Sequence, residues 1–313
     1  MTTRLSATLL VALLAGCTAA PEVRPAARPA AAPAAPEPTT PAGLLPGLPL
    51  DGLSPDQQAI LAGWARETFC YCGCPHTVSQ CLRGHGGCHH APRMARLASA
   101  LVRAGAGPRE LAERVTGYYA GFAANKRVAL DLAVADPPLG TPAAPVALAE
   151  FSDFTCPFCQ LLRPALERFV ETHPGRVRLH YKPYPIESHP GAVEAAQAAE
   201  WARDHGIFWP FHDKLFQDPH AGSAAMAAWA TELGQDGADL GAALESKRLL
   251  PRVTASRAEG RAVGLKATPT VYVNGRELPV LSADLLEFVL ELALEDEEEW
   301  LKGRGWSRDA EER

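Results

Sequence analysis

The most specific chemistry in this sequence lies in Phe151-Ser152-Asp153-Phe154-Thr155-Cys156-Pro157-Phe158-Cys159, where two cysteines are separated by two residues. The preceding run, Val146-Ala147-Leu148-Ala149-Glu150-Phe151, reads as a buried strand, and an amphipathic helix follows to about Thr172. Residues i and i+3 share a helix face, so the two sulfurs can close a disulfide, and a helix N-terminus at Cys156 stabilises a thiolate there. Such a pair can run thiol-disulfide exchange, with Cys156 as nucleophile and Cys159 as resolving thiol. The same spacing also serves a structural disulfide or half a zinc site. Glu150 favours exchange: it is a charged group in a strand that otherwise wants burial, and so a candidate proton acceptor for Cys159. Thr268-Pro269 favours it too, since it opens a strand that ends in the hairpin signal Asn274-Gly275, where proline is consistent with a cis bond in a tight turn. Lys182, at the end of the alternating strand Val177-Leu179-Tyr181, is a candidate to neutralise Glu150.

A second thiol-rich segment runs from Cys70-Tyr71-Cys72-Gly73-Cys74-Pro75-His76 through Cys81 to Cys88-His89-His90. Three readings compete for it: a structural disulfide knot, an accessory redox centre or a metal site. Five cysteines cannot all pair internally, and two disulfides with one free thiol can be drawn in about fifteen ways. Cys-x-Cys-x-Cys is not the paired Cys-x2-Cys of a zinc ribbon. Cys70, Cys72, Cys74, Cys81 and Cys88 are therefore assigned to accessory disulfide or redox duty, with no metal ligand set and no cofactor. His76, His85, His89 and His90 are read as solvated or hydrogen-bonded loop side chains.

The elements that must position these groups are legible as patterns. Ser54-Pro55-Asp56-Gln57 is a capped helix start. Met94, Leu97, Ala98, Leu101 and Val102 repeat at helical spacing, as do Leu111, Val115, Tyr118, Tyr119 and Phe122 after Gly105-Ala106-Gly107-Pro108. Residues 50–135 thus make a small all-α, cysteine-rich module. A linker at 136–145 follows, then an α/β domain at 146–294 closed by a helix bearing Leu285, Phe288, Val289, Leu292 and Ala293. Within it, Trp201, Phe208, Trp209, Phe211 and Phe216 are expected in a core. Residues 295–313 carry eight acids against four bases and read as a solvated charged tail.

From about residue 140 to 294 the combination resembles the DsbA-like branch of the thioredoxin superfamily. The resemblance implies a thioredoxin-like fold with a helical insertion, here from His189 to Leu265. It also implies a protein thiol:disulfide oxidoreductase whose strand acid, Cys-x-x-Cys and cis-proline loop form one site. These match Glu150, Cys156, Cys159 and Thr268-Pro269. Phe158 stands where DsbA has a histidine that stabilises the thiolate, and Thr268 is similar to isomerase and reductase members, so a less oxidising couple is expected. The chain encodes no membrane partner, so a separate redox protein must recharge the pair, and the substrates implied are exported proteins with cysteines. The segment from Cys81 to Leu132 is similar to the three-helix domain of CcmH-type cytochrome c maturation proteins, which implies, as an alternative, handling of apocytochrome c cysteines. A further alternative, from the Cys/His cluster, is a copper or zinc carrier on a thioredoxin scaffold.

The 313 residues are 47% hydrophobic and 21% charged, with net charge -6 and pI near 5.9, so a sizeable core is available and a nucleic-acid partner is disfavoured. Arg4 and the apolar run Leu5 to Leu14, too short to span a bilayer, read as a signal peptide. Leu14-Ala15-Gly16-Cys17 resembles the bacterial lipobox, which implies a lipoprotein signal at 1–16 and lipidation of Cys17. Thr18 in place of aspartate then favours the outer membrane. Residues 17–49 form a tether, with nine prolines and ten alanines among the 32 residues from Thr18 to Pro49. The expected location is the periplasmic face of a bacterial membrane.

Overall fold

The computed structural model describes residues 38–302 apart from 73, 85–87, 122–126, 136 and 280–282. Cys17, its signal peptide and most of the tether lie outside the described residues. The tether's last residues do not continue as an extended spacer: Pro41–Leu44 forms a short helix (α1), and Leu44 and Leu45 are buried. Two adjacent leucines are enough to pull the end of a proline-rich run onto an apolar surface.

Helix α2 (Pro55–Glu67) starts at the expected capping box, where Gln57 N donates to Ser54 Oγ and Ser54 N donates to Gln57 Oε1. α3 (Val78–Gly84), α4 (His90–Arg103) and α5 (Pro108–Ala120) complete the N-terminal helices. Leu61, Trp64, Leu97, Leu101, Leu111 and Val115 share one apolar cluster with residues of the sheet domain, including Val146, Leu148, Leu166, Val271 and Leu290. The described residues from Pro38 onward accordingly form one compact unit.

The sheet has the order β1-β3-β2-β4-β5, from β1 (Leu139–Gly140), β2 (Val146–Ser152), β3 (Val177–Pro183), β4 (Thr270–Val273) and β5 (Arg276–Leu278). β2 and β3 are parallel; the other pairs are antiparallel. β1 falls within the stretch expected to be a linker, because Leu139 pairs with Leu179 and gives β3 an edge partner. α6 (Pro157–Thr172) crosses from β2 to β3. Between β3 and β4 lie α7 (Ala192–Asp204), α8 (Phe208–Gln217), α9 (Ser223–Glu232), α10 (Gly237–Glu245) and α11 (Leu250–Ala262). This is the α/β sheet with helical insertion that the sequence predicts. Trp201, Phe208, Phe211 and Phe216 are buried together with Tyr181 and Phe154, while Trp209 is half-buried against them.

α12 (Ala283–Leu301) departs from expectation, since it runs well past residue 294 into the acidic stretch. Asp296 and Glu297 are buried rather than solvated. Arg93 of α4 pairs with Glu295, Asp296 and Glu299, and Tyr118 of α5 donates to Asp296 at 2.9 Å. Arg127 and Arg276 pair with Glu297. Opposite charges supplied by distant segments hold this end of the helix in place, which local charge counting could not anticipate. No described helix is long and apolar enough to cross a membrane.

Candidate active site

β2 is buried along its whole length, and its alternating side chains divide between two faces. Val146 and Leu148 face the cluster that includes Leu162, Leu166 and Phe169 of α6, and Glu150 continues that face. Phe151 points the other way, into a separate cluster with Tyr272 and Leu265. The chain then turns through Asp153-Phe154-Thr155, and Cys156 becomes the N-cap of α6, with Pro157 in the first helical turn.

Cys156 is only 3% exposed, and Cys159, one turn further, is fully buried. The Cys156 Sγ lies 3.6 Å from the carbonyl oxygen of Thr268 and donates to it. The Thr268-Pro269 bond is cis. β4 pairs antiparallel with β2 so that Glu150 faces Val271, which carries the Thr268-Pro269 loop to the end of the sheet where α6 begins. The structure thus brings Cys156, Cys159, Thr268, Pro269 and Glu150 together. Phe158, between the cysteines, is 68% exposed, and Leu161 is also exposed, so an apolar rim borders the dithiol.

Burial raises the Glu150 carboxyl to about 7, with the like charge of Glu167 adding to the effect, while Ser152 and Arg163 oppose it. Burial also pushes the Cys159 thiol up, and the Glu150 charge pushes it further. Both groups are therefore held toward their protonated forms in a low-dielectric space, each sensitive to the charge of the other. Lys182 does not neutralise Glu150. Glu150 is in register with Tyr181, so Lys182 emerges on the opposite face, above the Phe151 ring, where its Nζ pairs with Glu259 at 2.6 Å.

Asp153 and His189 escaped the sequence reading. The buried Asp153 Oδ1 accepts from Thr155 N at 2.8 Å and Thr155 Oγ1 at 2.7 Å, while Oδ2 accepts from Ile186 N and lies 2.7 Å from His189 Nδ1. One carboxylate therefore ties the loop before Cys156 to the loop after β3. Asp with Thr two residues on is an Asx-turn signal that was available to find it.

The accessory cysteines gather elsewhere. A bridge between Phe69 and Thr77 closes a turn holding Cys70, Cys72 and Cys74, with Cys70 N donating to His76 O. Cys81 comes from α3 and Cys88 from the residues before α4. Sulfur separations are 3.3 Å for Cys70–Cys88, 2.9 Å for Cys72–Cys74, 3.2 Å for Cys74–Cys81 and 3.9 Å for Cys72–Cys81. These five pack in the cluster shared by the N-terminal helices, whereas Cys156 and Cys159 pack with the helical insertion. His76 and His89 are exposed, and His90 is buried beside Tyr71.

Residues 133–290 match the family model described as Thioredoxin. Among curated proteins, the chain is 37% identical over 143 residues to a Na(+)/H(+) antiporter NhaA 1 of Mycolicibacterium gilvum, an alignment covering 44% of this chain and 23% of that protein. The chain thus spans about a quarter of the length of the curated relatives it matches. Among solved structures, BdbD from Bacillus subtilis in its oxidised form superposes with a TM-score of 0.47 at 24% identity, covering 54% of this chain and 97% of that one. A thioredoxin-like oxidoreductase from Silicibacter pomeroyi gives 0.45 at 27% identity, covering 54% and 99%.

Proposed function

Because this chain belongs to the thioredoxin family, we propose that it is an exported thiol:disulfide oxidoreductase that acts on protein cysteines through Cys156 and Cys159. The observation that carries the reading is the position of Cys156: at the N-terminus of α6, its sulfur 3.6 Å from the Thr268 carbonyl, with buried Glu150 on the face that α6 covers.

In the reducing direction, the Cys156 thiolate attacks one sulfur of a substrate disulfide, forming a mixed disulfide and releasing a substrate thiolate. Cys159 then gives its proton to Glu150 and attacks Cys156 Sγ, which frees the second substrate sulfur and leaves a Cys156-Cys159 disulfide. The oxidising direction runs the same bonds in reverse. In both, two electrons pass between substrate and dithiol, and a separate redox protein resets the pair. The backbone at Thr268-Pro269 offers hydrogen bonds to an extended substrate strand, and Phe158 and Leu161 offer it an apolar surface. Phe158 supplies neither charge nor hydrogen bond to the Cys156 thiolate, which favours a less oxidising couple.

Export and anchoring rest on Arg4, the apolar run Leu5 to Leu14 and the lipobox-like Leu14-Ala15-Gly16-Cys17. A lipidated Cys17 would hold the enzyme on the periplasmic face of a membrane, with the proline-rich tether as spacer. Incorporation of labelled fatty acid that disappears in C17S checks the anchor.

The decisive experiment is the reduction potential of Cys156-Cys159 in the full chain, titrated against glutathione or dithiothreitol and read from the redox state of the peptide that carries both cysteines. A reversible two-electron couple between about -120 and -270 mV, the range from DsbA to thioredoxin, is expected. The absence of any reversible couple overturns the reading.

A further inference from the structure

We propose that Cys70, Cys72, Cys81 and Cys88 form a tetrathiolate site for one zinc ion, resident in the N-terminal helices and independent of the Cys156-Cys159 dithiol. Their four sulfurs all lie within 4.8 Å of one another. Zn–S bonds of about 2.3 Å in a tetrahedron put sulfurs about 3.8 Å apart, so one cation fits among the four with small adjustments.

The spacing argument against zinc dissolves once the fold is known. Cys-x-Cys is a poor pair by itself, but Cys70 and Cys72 occupy one closed turn, Cys81 sits on α3, and Cys88 precedes α4. Three separate elements thus deliver four ligands to one point. Cys70 and Cys81 are buried, in an apolar surrounding that includes Leu82, Met94 and Ala95. Ala91 N, in the first turn of α4, donates to Cys88 Sγ at 3.4 Å, and such N–H···S contacts help hold the negative charge of a tetrathiolate.

Disulfides are the competing reading in an exported protein. The four proposed ligands do not separate into isolated pairs: Cys70 lies 3.3 Å from Cys88 and Cys72 lies 3.9 Å from Cys81, and all four sulfurs are within 4.8 Å of one another, the mutual reach that a single metal ion requires. Cys74 is then a fifth thiol beside two ligands, placed to exchange with either. Binding is a proton-for-metal exchange: four S–H bonds break, four Zn–S bonds form, and four protons leave to solvent, with no change of oxidation state.

The test uses the full chain purified anaerobically in detergent from zinc-supplemented medium. The result expected is one zinc per chain by elemental analysis, retained in C74S and in C156S/C159S and lost in C81S. Because C81S can fail to fold, cobalt(II) is also exchanged into the unmutated chain, where intense visible bands of a tetrahedral tetrathiolate are expected. Substoichiometric zinc together with an intact mass about 4 Da low and disulfides mapped among residues 70–88 overturns the proposal. So does zinc that is lost in C156S/C159S.

Discussion

At the residue scale, the buried Glu150 makes the sharpest prediction. Its carboxyl ionises near 4.5 in an unfolded chain and near 7 in the folded protein, so the folded state holds the extra proton between those values. Its contribution to stability is therefore largest below about pH 4.5, falls as pH rises through 4.5 to 7, and is constant above. Denaturant midpoints of E150Q should lose that part of the slope and lie above the parent at pH 8. In stopped-flow exchange, E150Q should slow the step in which Cys159 attacks by about 100-fold, the scale of a lost general base, and remove the inflection near pH 7. C159S should accumulate mixed disulfide with substrate, whereas C156S should form none; trapping on non-reducing gels checks this pair. The placement of Cys156, Cys159 and Glu150 at one strand-helix junction was legible because residue type and spacing set it. Asp153 was less so, since its value lies in partners 33 and 36 residues away. D153A should cost about 3 kcal/mol in urea unfolding, because Ile186 N, Thr155 and His189 lose a buried acceptor together.

Among the elements, α12 is the one whose extent local reading misjudged. Apolar spacing ends near Ala293, but the helix continues because Arg93, Arg127 and Arg276 wait for its acids. Glu297 is fully buried and also accepts from Asn274 Nδ2 at 3.2 Å. E297A should destabilise the protein by about 3 to 5 kcal/mol, read as a shift in the urea midpoint, because it leaves buried guanidinium without its carboxylate. The linker and the tether end were misread for a related reason. β1 exists only because β3 offers it an edge, and α1 docks only because Leu44 and Leu45 join an apolar cluster built by other segments; neither fact is local. Capping boxes, turns and the period of α4 were legible because their signals act within four residues.

For the whole molecule, the continuous apolar cluster from Leu61 and Trp64 to Val146 and Leu290 implies that the helices and the sheet stabilise each other. Residues 146–294 expressed alone should unfold at lower urea than residues 38–313, with apolar surface exposed to a fluorescent dye; equal midpoints would contradict a shared core. Sequence alone determined the Cys156-Cys159 pair, the strand-helix junction that holds it, and the family it resembles, because those depend on spacing within one or two elements. Only the tertiary structure decided that Lys182 serves Glu259 rather than Glu150, that five scattered cysteines converge, and that the acidic stretch begins as helix with Asp296 and Glu297 buried. Each of those outcomes is a pairing between segments far apart in the chain, and its energy appears only when folding brings the partners within a few ångströms.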